Sequence, residues 1–322
     1  MNINPIKAGA VLLLAISVCW GCARFEDKVF NFALSVERQR SDLIPKTLRI
    51  DQQNIFYLER EGPGETIVLL HGFAANKDTW LRFVRYLPRQ YRVLVIDLAG
   101  HGERNQAMKT QASLDADHML ADFSRVIDGL DRDHFHLAGN SLGGYVATFF
   151  ARQYPHKVIS LGLFASAGVW SPKPSDFQLA LEKGDNPLLV DSPQDFDQLM
   201  ELVFYEKPWT PWPVRAVLER ELIKKYDFYK KMWDDIWRHR KDVTAFLPEI
   251  KIPVFLLWGD KDRILDVSSV SVYQQYLPDV QTWIIEDCGH GLIIEKPEEA
   301  AKAYSKFLKR IESREYGSRK LF

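Results

Sequence analysis

Apolar runs and stretches of helical periodicity alternate along most of this chain. TIVLLH at 66–71 and RVLVID at 92–97 are apolar through their centres, as strands covered on both faces of a sheet must be. Between them, DTWLRFVRYL at 78–87 sets Trp80, Phe83, Val84 and Leu87 at helical intervals and stops at Pro88. Leu120, Phe123, Ile127 and Leu130 repeat the helical period, FHLAG at 135–139 is the next strand, a helix follows from Leu142 to Tyr154, and VISLGLF at 158–164 is again a strand. Two shorter β-rich runs, TLRI at 47–50 and IFYLE at 55–59, come before them all. This alternation predicts an α/β domain: a mostly parallel sheet with helices on both faces.

The rhythm then breaks. From Val169 to Leu247 no strand pattern occurs, while prolines accumulate with Trp170, Trp209, Trp212, Trp233 and Trp237. After Pro248 it resumes with PVFLLWG at 253–259, a helix from Ser268 to Tyr276, TWIIE at 282–286 and a closing helix. The closing helix has Pro297 in its first turn, Glu298 and Glu299 at the positive end of its dipole, and Ala303, Phe307 and Ile311 on one face. A sheet domain interrupted in this way carries an inserted helical cap. The expected division is a signal or anchor segment at 1–23, a linker helix at 24–46, sheet-domain core at 47–168, cap at 169–248, core again at 249–314, and a tail at 315–322.

Composition narrows the function. With 42 basic and 43 acidic side chains the formal charge is -1, so the electrostatic footprint of nucleic-acid binding is missing. Cys19, Cys22 and Cys288 are too few for a disulfide framework and lack zinc-ligand spacing. No HExxH or GxxxxGK[ST] motif occurs, and GHG at 100–102 lacks the third glycine of a dinucleotide loop. No metal and no cofactor are expected.

The N-terminus stands apart. Lys7 precedes AGAVLLLAISVCWGCA at 8–23, which carries no charge. It falls short of the roughly 20 apolar residues of a comfortable membrane span and suits the apolar core of an export signal. Gly21 before Cys22 has the small-residue-then-cysteine order of a bacterial lipoprotein cleavage site, which makes Cys22 a candidate for lipidation. An uncleaved anchor helix is the other reading. Both place the protein at or beyond a membrane, and Phe25, Val29, Phe32, Leu34 and Val36 among charges suit an interfacial segment.

The chemistry centres on HLAGNSLGGYVA at 136–147. Ser141 sits between a predicted strand and a predicted helix, the context of a G-x-S-x-G nucleophile elbow. Gly139 and Gly143 are required because side chains there would collide across the turn that lifts the serine clear of the sheet. A serine needs a base, and the base needs an acid to orient it. In this architecture both lie downstream, where only His156, His239 and His290 occur. His156 ends the helix that Ser141 begins, His239 belongs to a solvated cap helix, and His290 follows the last strand, so His290 is the candidate base. The acid falls in WGDKDRILD at 258–266, where Asp262 leads, Asp260 competes, and Asp266 suits a helix cap. Oxyanion donors are the backbone amides of Leu142, directly after the serine, and Phe73, after His71-Gly72. His71 reads as a loop-fixing partner.

HGF at 71–73, DLAGHG at 97–102, GNSLGG at 139–144, WGDKDRI at 258–264 and CGHG at 288–291 together resemble the α/β-hydrolase superfamily from about Thr47 to Ile311. HGFAANKDTW, the cap segment NPLLVDSPQDFDQLMELVFYEKPWTP and WGDKDRILDVSS look similar to bacterial family V lipases and the related membrane-associated monoacylglycerol lipases. Asn140 and Leu142 depart from the His and Met or Gln frequent beside the serine. The resemblance implies the α/β-hydrolase fold, a serine ester hydrolase acting on lipid-like acyl esters, and a membrane surface as partner. A carbon–carbon bond hydrolase of aromatic degradation and a catalytically silent binding module on the same fold are the competing readings. Oligomeric state is not legible.

Overall fold

A computed structural model describes residues 5–107 and 114–319, with side chains for 23–104 and 114–313. The elements run α1 (Pro5–Arg40), β1 (Ile44–Ile50), β2 (Gln53–Arg60), β3 (Thr66–Leu70), α2 (Leu81–Arg85), β4 (Arg92–Ile96), α3 (Ala116–Gly129), β5 (Phe135–Asn140), α4 (Leu142–Gln153) and β6 (Val158–Phe164). Then come α5 (Asp176–Glu182), α6 (Pro193–Val203), α7 (Trp212–Lys224), α8 (Tyr226–Arg238), β7 (Val254–Gly259), α9 (Ser269–Tyr276), β8 (Val280–Ile285), α10 (Leu292–Glu295) and α11 (Pro297–Arg319). Helices α5 to α8 therefore form the insertion between β6 and β7.

The eight strands lie in the order β1-β2-β4-β3-β5-β6-β7-β8. β2 is antiparallel to both β1 and β4, and every pair from β4 to β8 is parallel. The chain leaves β3 for β4 on one side, then returns across β3 to β5 on the other. This reversal makes the carboxyl ends of β3 and β5 a topological switch point, the position at which open α/β sheets bind ligands. β3 and β7 are buried at every position, which is why their sequences read as unbroken apolar runs.

Two aromatic layers clothe the sheet. Phe83 of α2 and Tyr304 and Phe307 of α11 pack with Phe164 and Phe255 on one side. Phe123 of α3 and Phe150 of α4 pack with each other, and Phe150 meets Phe135 on the other.

Some boundaries differ from the sequence reading. β1 starts at Ile44, three residues inside the expected linker, because it pairs with β2 along its whole length as the edge strand, where Pro45 is tolerated. The expected helix at 78–87 is a 3-10 turn over Lys77–Trp80 followed by the single turn of α2. α11 continues to Arg319, into the segment expected to be a tail.

α1 is one helix from Pro5 to Arg40. Its described half is built into the body: Arg38 makes a bidentate ion pair with Asp78 at 2.7 and 2.8 Å, Arg220 of α7 reaches Glu26 at 2.7 Å and also Asp27, and Leu34 packs on the main core. Among the described residues no helix is long and apolar enough to cross a membrane. The Cys22 side chain, with those of all residues before it, lies outside the described residues.

Candidate active site

Ser141 is the one-residue corner between β5 and α4, at φ 55° and ψ -118°. A non-glycine residue there is strained by about 1–3 kcal/mol, and it persists only where its surroundings over-determine it. They do: Ser141 N donates to Phe164 O at 3.0 Å, while Ser141 O accepts from Tyr145 N at 3.1 Å and Ala167 N at 3.2 Å. The two glycines meet as the motif requires. A Cβ on Gly139 would lie 2.2 Å from the Gly143 carbonyl carbon, and one on Gly143 would lie 2.4 Å from Leu70 O.

His290 sits on the loop between β8 and α10, and Asp262 on the loop after β7. Both are buried, at 6% exposure each. His290 Nδ1 donates to Asp262 Oδ2 at 2.8 Å. A carboxylate only accepts, so this bond fixes the tautomer and leaves Nε2 with a lone pair. Asp262 Oδ1 is held in turn by Ile264 N at 2.8 Å and Leu265 N at 2.9 Å. The rival carboxylates are engaged elsewhere: Asp260 with Lys261 and the Cys288 amide, and Asp266 with Ser268 N at 2.9 Å at the start of α9. Ser141 Oγ makes no hydrogen bond among the described residues. His156 lies in the turn between α4 and β6, at the amino edge of the sheet, and His239 caps the end of α8.

The HGF loop abuts the elbow, since a Cβ on Gly72 would come within 3.2 Å of Ser141 Cβ. Neither the Phe73 nor the Leu142 amide, the two expected oxyanion donors, donates a hydrogen bond among the described residues. Leu142 is also the first residue of α4, where the helix dipole is positive. His71 fixes this loop: Nδ1 donates to Gly72 O at 2.8 Å and Nε2 accepts from Leu98 N at 3.0 Å. Complete burial pushes its pKa down to about 4, so it stays neutral.

Sequence reasoning missed a second anchor of the same loop. Lys77 is buried, with Nζ donating to Asp97 Oδ2 at 2.8 Å and to Glu103 at 2.7 Å, and its backbone N donating to Asp97 Oδ1 at 2.7 Å. Burial opposes the Lys77 ammonium, but the charge of Asp97 and the hydrogen bonds to Asp97 and Glu103 outweigh it and hold the pKa above the ordinary lysine value. The only signal in the sequence was a charged residue inside a loop otherwise read for its glycine, and nothing there pairs positions 77 and 97.

Above the loop lies α8. The Phe73 ring makes edge contacts with Tyr229 and Trp233, both at 5.7 Å between centroids, and Trp233 stacks on Trp237 at 5.4 Å. The candidate site thus has a polar floor at the sheet edge and an aromatic roof from the insertion. Among the described residues no cluster of three His, Cys, Asp or Glu is arranged to hold a metal ion.

Residues 65–297 match the family model for the alpha/beta hydrolase fold. The chain belongs to that family. It is 32% identical over 284 residues to Lipase 1 of Psychrobacter immobilis, covering 87% of this chain and 89% of that protein. It is 34% identical over 271 residues to the monoacylglycerol lipase abhd6-B of Xenopus laevis, covering 80% of each. Among solved structures it is similar to a membrane phospholipase A described as a bacterial virulence factor, with a TM-score of 0.86 and 35% identity over 96% of this chain and 99% of that one. Within the family, the chain is a carboxylic ester hydrolase.

Proposed function

We propose that this protein hydrolyses lipid-like acyl esters, acylglycerols first among them, through a Ser141–His290–Asp262 triad and an acyl-enzyme. The observation that carries the reading is the strained serine at the β5–α4 corner on the same sheet edge as the buried His290–Asp262 pair. Ser141 Oγ attacks the ester carbonyl as His290 Nε2 takes its proton. The amides of Phe73 and Leu142 hold the tetrahedral oxyanion, and the imidazolium, stabilised by Asp262, protonates the departing alcohol. Water activated by the same histidine then releases the acid.

The substrate class is supported by the names of the relatives, two lipases and a phospholipase, and by the aromatic roof of Phe73, Tyr229 and Trp233, which suits an acyl chain. A membrane surface as the place of work is supported by the uncharged run at 8–23 and by exposed aromatics. Phe25 and Phe32, seven positions apart on α1, are 55% and 70% exposed, and Trp209 before α7 and Trp212 at its first position are 83% and 58% exposed. Tryptophan with one apolar and one polar side favours the headgroup level.

The test is one activity panel. Purified protein is assayed on p-nitrophenyl esters of rising chain length, on mono-, di- and triacylglycerols, and on a glycerophospholipid, with Ser141→Ala and a fluorophosphonate probe as controls. Ester turnover and labelling in the wild type, both lost in the variant, are expected. Retained turnover in Ser141→Ala would remove the serine from the mechanism.

A further inference from the structure

The loop that carries His290 is held from outside the sheet. Glu295, in α10, spreads its carboxylate over three backbone amides: Oε2 accepts from Gly289 N at 3.0 Å and Tyr205 N at 3.3 Å, and Oε1 accepts from Glu206 N at 2.7 Å. Gly289 immediately precedes His290, while Tyr205 and Glu206 lie just past the end of α6. A second tie runs beside it, from Gly291 N to Val203 O at 2.9 Å.

The approach is close enough to dictate the sequence. A Cβ on Gly289 would lie 2.7 Å from Tyr205 N and Val203 O, and one on Gly291 would lie 2.3 Å from Phe204 Cε1. Gly289 is therefore glycine because the backbone leaving α6 occupies the space a side chain would need, and at Gly291 the Phe204 ring fills that space. The loop of the acid leans on the same part of the insertion. Phe177 N donates to Arg263 O at 3.0 Å, Ser175 Oγ to Ile264 O at 2.8 Å, and the Arg263 guanidinium to Glu201 O at 3.1 Å.

We propose that Glu295 is a positioning residue for His290, coupling the seating of the α5–α6 part of the insertion to the alignment of the imidazole with Asp262. The proposal rests on His290 acting as the base. Three N–H donors converge on one side chain, and only a carboxylate has acceptors for all of them. Without Glu295 these amides lose their partner, and His290 is left on a loop tied to the insertion by Gly291 alone. Misplacement of a catalytic group by about 1 Å costs on the order of a hundredfold in rate. Glutamine keeps a carbonyl for Gly289 and Tyr205 but turns its amino group toward the Glu206 amide, so it preserves the tie to the histidine loop and loses the other.

The experiment uses the full-length protein with a short water-soluble ester, measuring kcat and KM for Glu295→Ala, Glu295→Gln, Asp262→Asn, the double variant Glu295→Ala/Asp262→Asn, and His290→Ala. Thermal melts verify folding, and Glu298→Gln, at an exposed residue paired with Lys302, is the control. Glu295→Ala should lose about 10- to 100-fold in kcat with KM nearly unchanged, and Glu295→Gln should recover most of it. The double variant should be little worse than Asp262→Asn, because both changes act through the same imidazole. Wild-type kcat in folded Glu295→Ala, or full additivity in the double variant, overturns the positioning role. Should Glu295→Ala fail to fold, Glu295→Gln decides: a small kcat loss at constant KM supports the role, and a lower melting temperature with unchanged kcat defeats it. Activity surviving in His290→Ala would instead overturn the base assignment, a result distinct from either.

Discussion

Asp262 faces His290 with one oxygen and its own chain with the other: Oδ2 accepts the hydrogen bond of His290 Nδ1–H at 2.8 Å, while Oδ1 accepts those of the Ile264 and Leu265 amides. This division of labour makes the acid's substitution readable. In Asp262→Asn the amide oxygen must stay with the two backbone N–H groups, so the amino group is turned on His290 Nδ1. The imidazole then adopts the opposite tautomer, with Nε2 protonated and unable to take the serine proton. A loss of roughly 10⁴-fold in kcat is expected. Asp260→Asn keeps an oxygen for the Cys288 amide and gives up the ion pair with Lys261, so it should stay within about tenfold of wild type. Assay of both variants on one soluble ester checks the ranking, and a reversed order would make Asp260 the acid.

Backbone strain at the corner predicts a trade of activity for stability. Ser141→Ala and Ser141→Gly should both be inactive, but glycine accepts φ 55° and ψ -118° without the penalty of a Cβ. Ser141→Gly is expected to be more stable than Ser141→Ala by about 1 kcal/mol. Urea denaturation of the two measures the difference. Equal midpoints would mean that the corner stores no strain.

The sequence was most legible where geometry imposes a residue type. Gly139 and Gly143 announce the elbow because no side chain fits between β5, α4 and the end of β3, and the buried strands announce themselves as apolar runs. Legibility failed where the outcome depends on direction or on distant partners. Asp260, Asp262 and Asp266 are alike as letters, and they are separated by where each carboxylate points. Lys77 and Asp97 are twenty positions apart, and Glu295 serves amides contributed by two loops. The sequence pattern shows β1 only from Thr47, because its first residues gain their structure from pairing with β2, with Ile44 opposite Glu59.

The aromatic roof predicts how chain length is read. Trp233 touches Phe73 and Phe177 and stacks on Trp237. Trp233→Ala should leave kcat on acetyl and butyryl esters near wild type and raise KM for long-chain esters by about tenfold, in keeping with the lost apolar contact. A uniform loss across all chain lengths would show that Trp233 supports the Phe73 loop and does not line the acyl path.

Two buried histidines beneath that roof set an acid limit. Burial lowers the pKa of His71 to about 4, and burial together with the neighbouring His71 lowers that of His101 to about 3, against 6.5 when unfolded. Between those values the unfolded chain binds protons that the folded one does not. Their contribution to stability is therefore complete above pH 6.5 and is lost as pH falls toward 4 and then 3. His101 packs edge-on to His71 and near Phe73 and Tyr229, and its Nε2 has no partner. His101→Phe should cost about 1 kcal/mol at neutral pH through the lost bond to Ala99 O. It should also lose less Tm than wild type between pH 7 and 4.5. Parallel Tm–pH curves for the two proteins would exclude His101 as a source of acid sensitivity.

The last prediction concerns where the enzyme works, and the structure decides which deletion can test it. Removing everything before Ser41 would take away the Arg38–Asp78 and Arg220–Glu26 ion pairs and the packing of Leu34 on the core, confounding surface residence with stability. A chain beginning at Ala23 keeps all three contacts and lacks residues 1–22, which hold Lys7 and the uncharged run through Cys22. That chain is expected in the soluble fraction, with wild-type kcat/KM on short esters, a melting temperature close to full length, and greatly reduced turnover of long-chain acylglycerols presented in vesicles. A chain beginning at Ser41 should melt several degrees lower for reasons unrelated to lipid. Fractionation, melts and the two assays together separate the causes. If full-length protein is recovered in the soluble fraction and the Ala23 chain hydrolyses vesicle acylglycerols as well as it does, the N-terminal run has no part in substrate access.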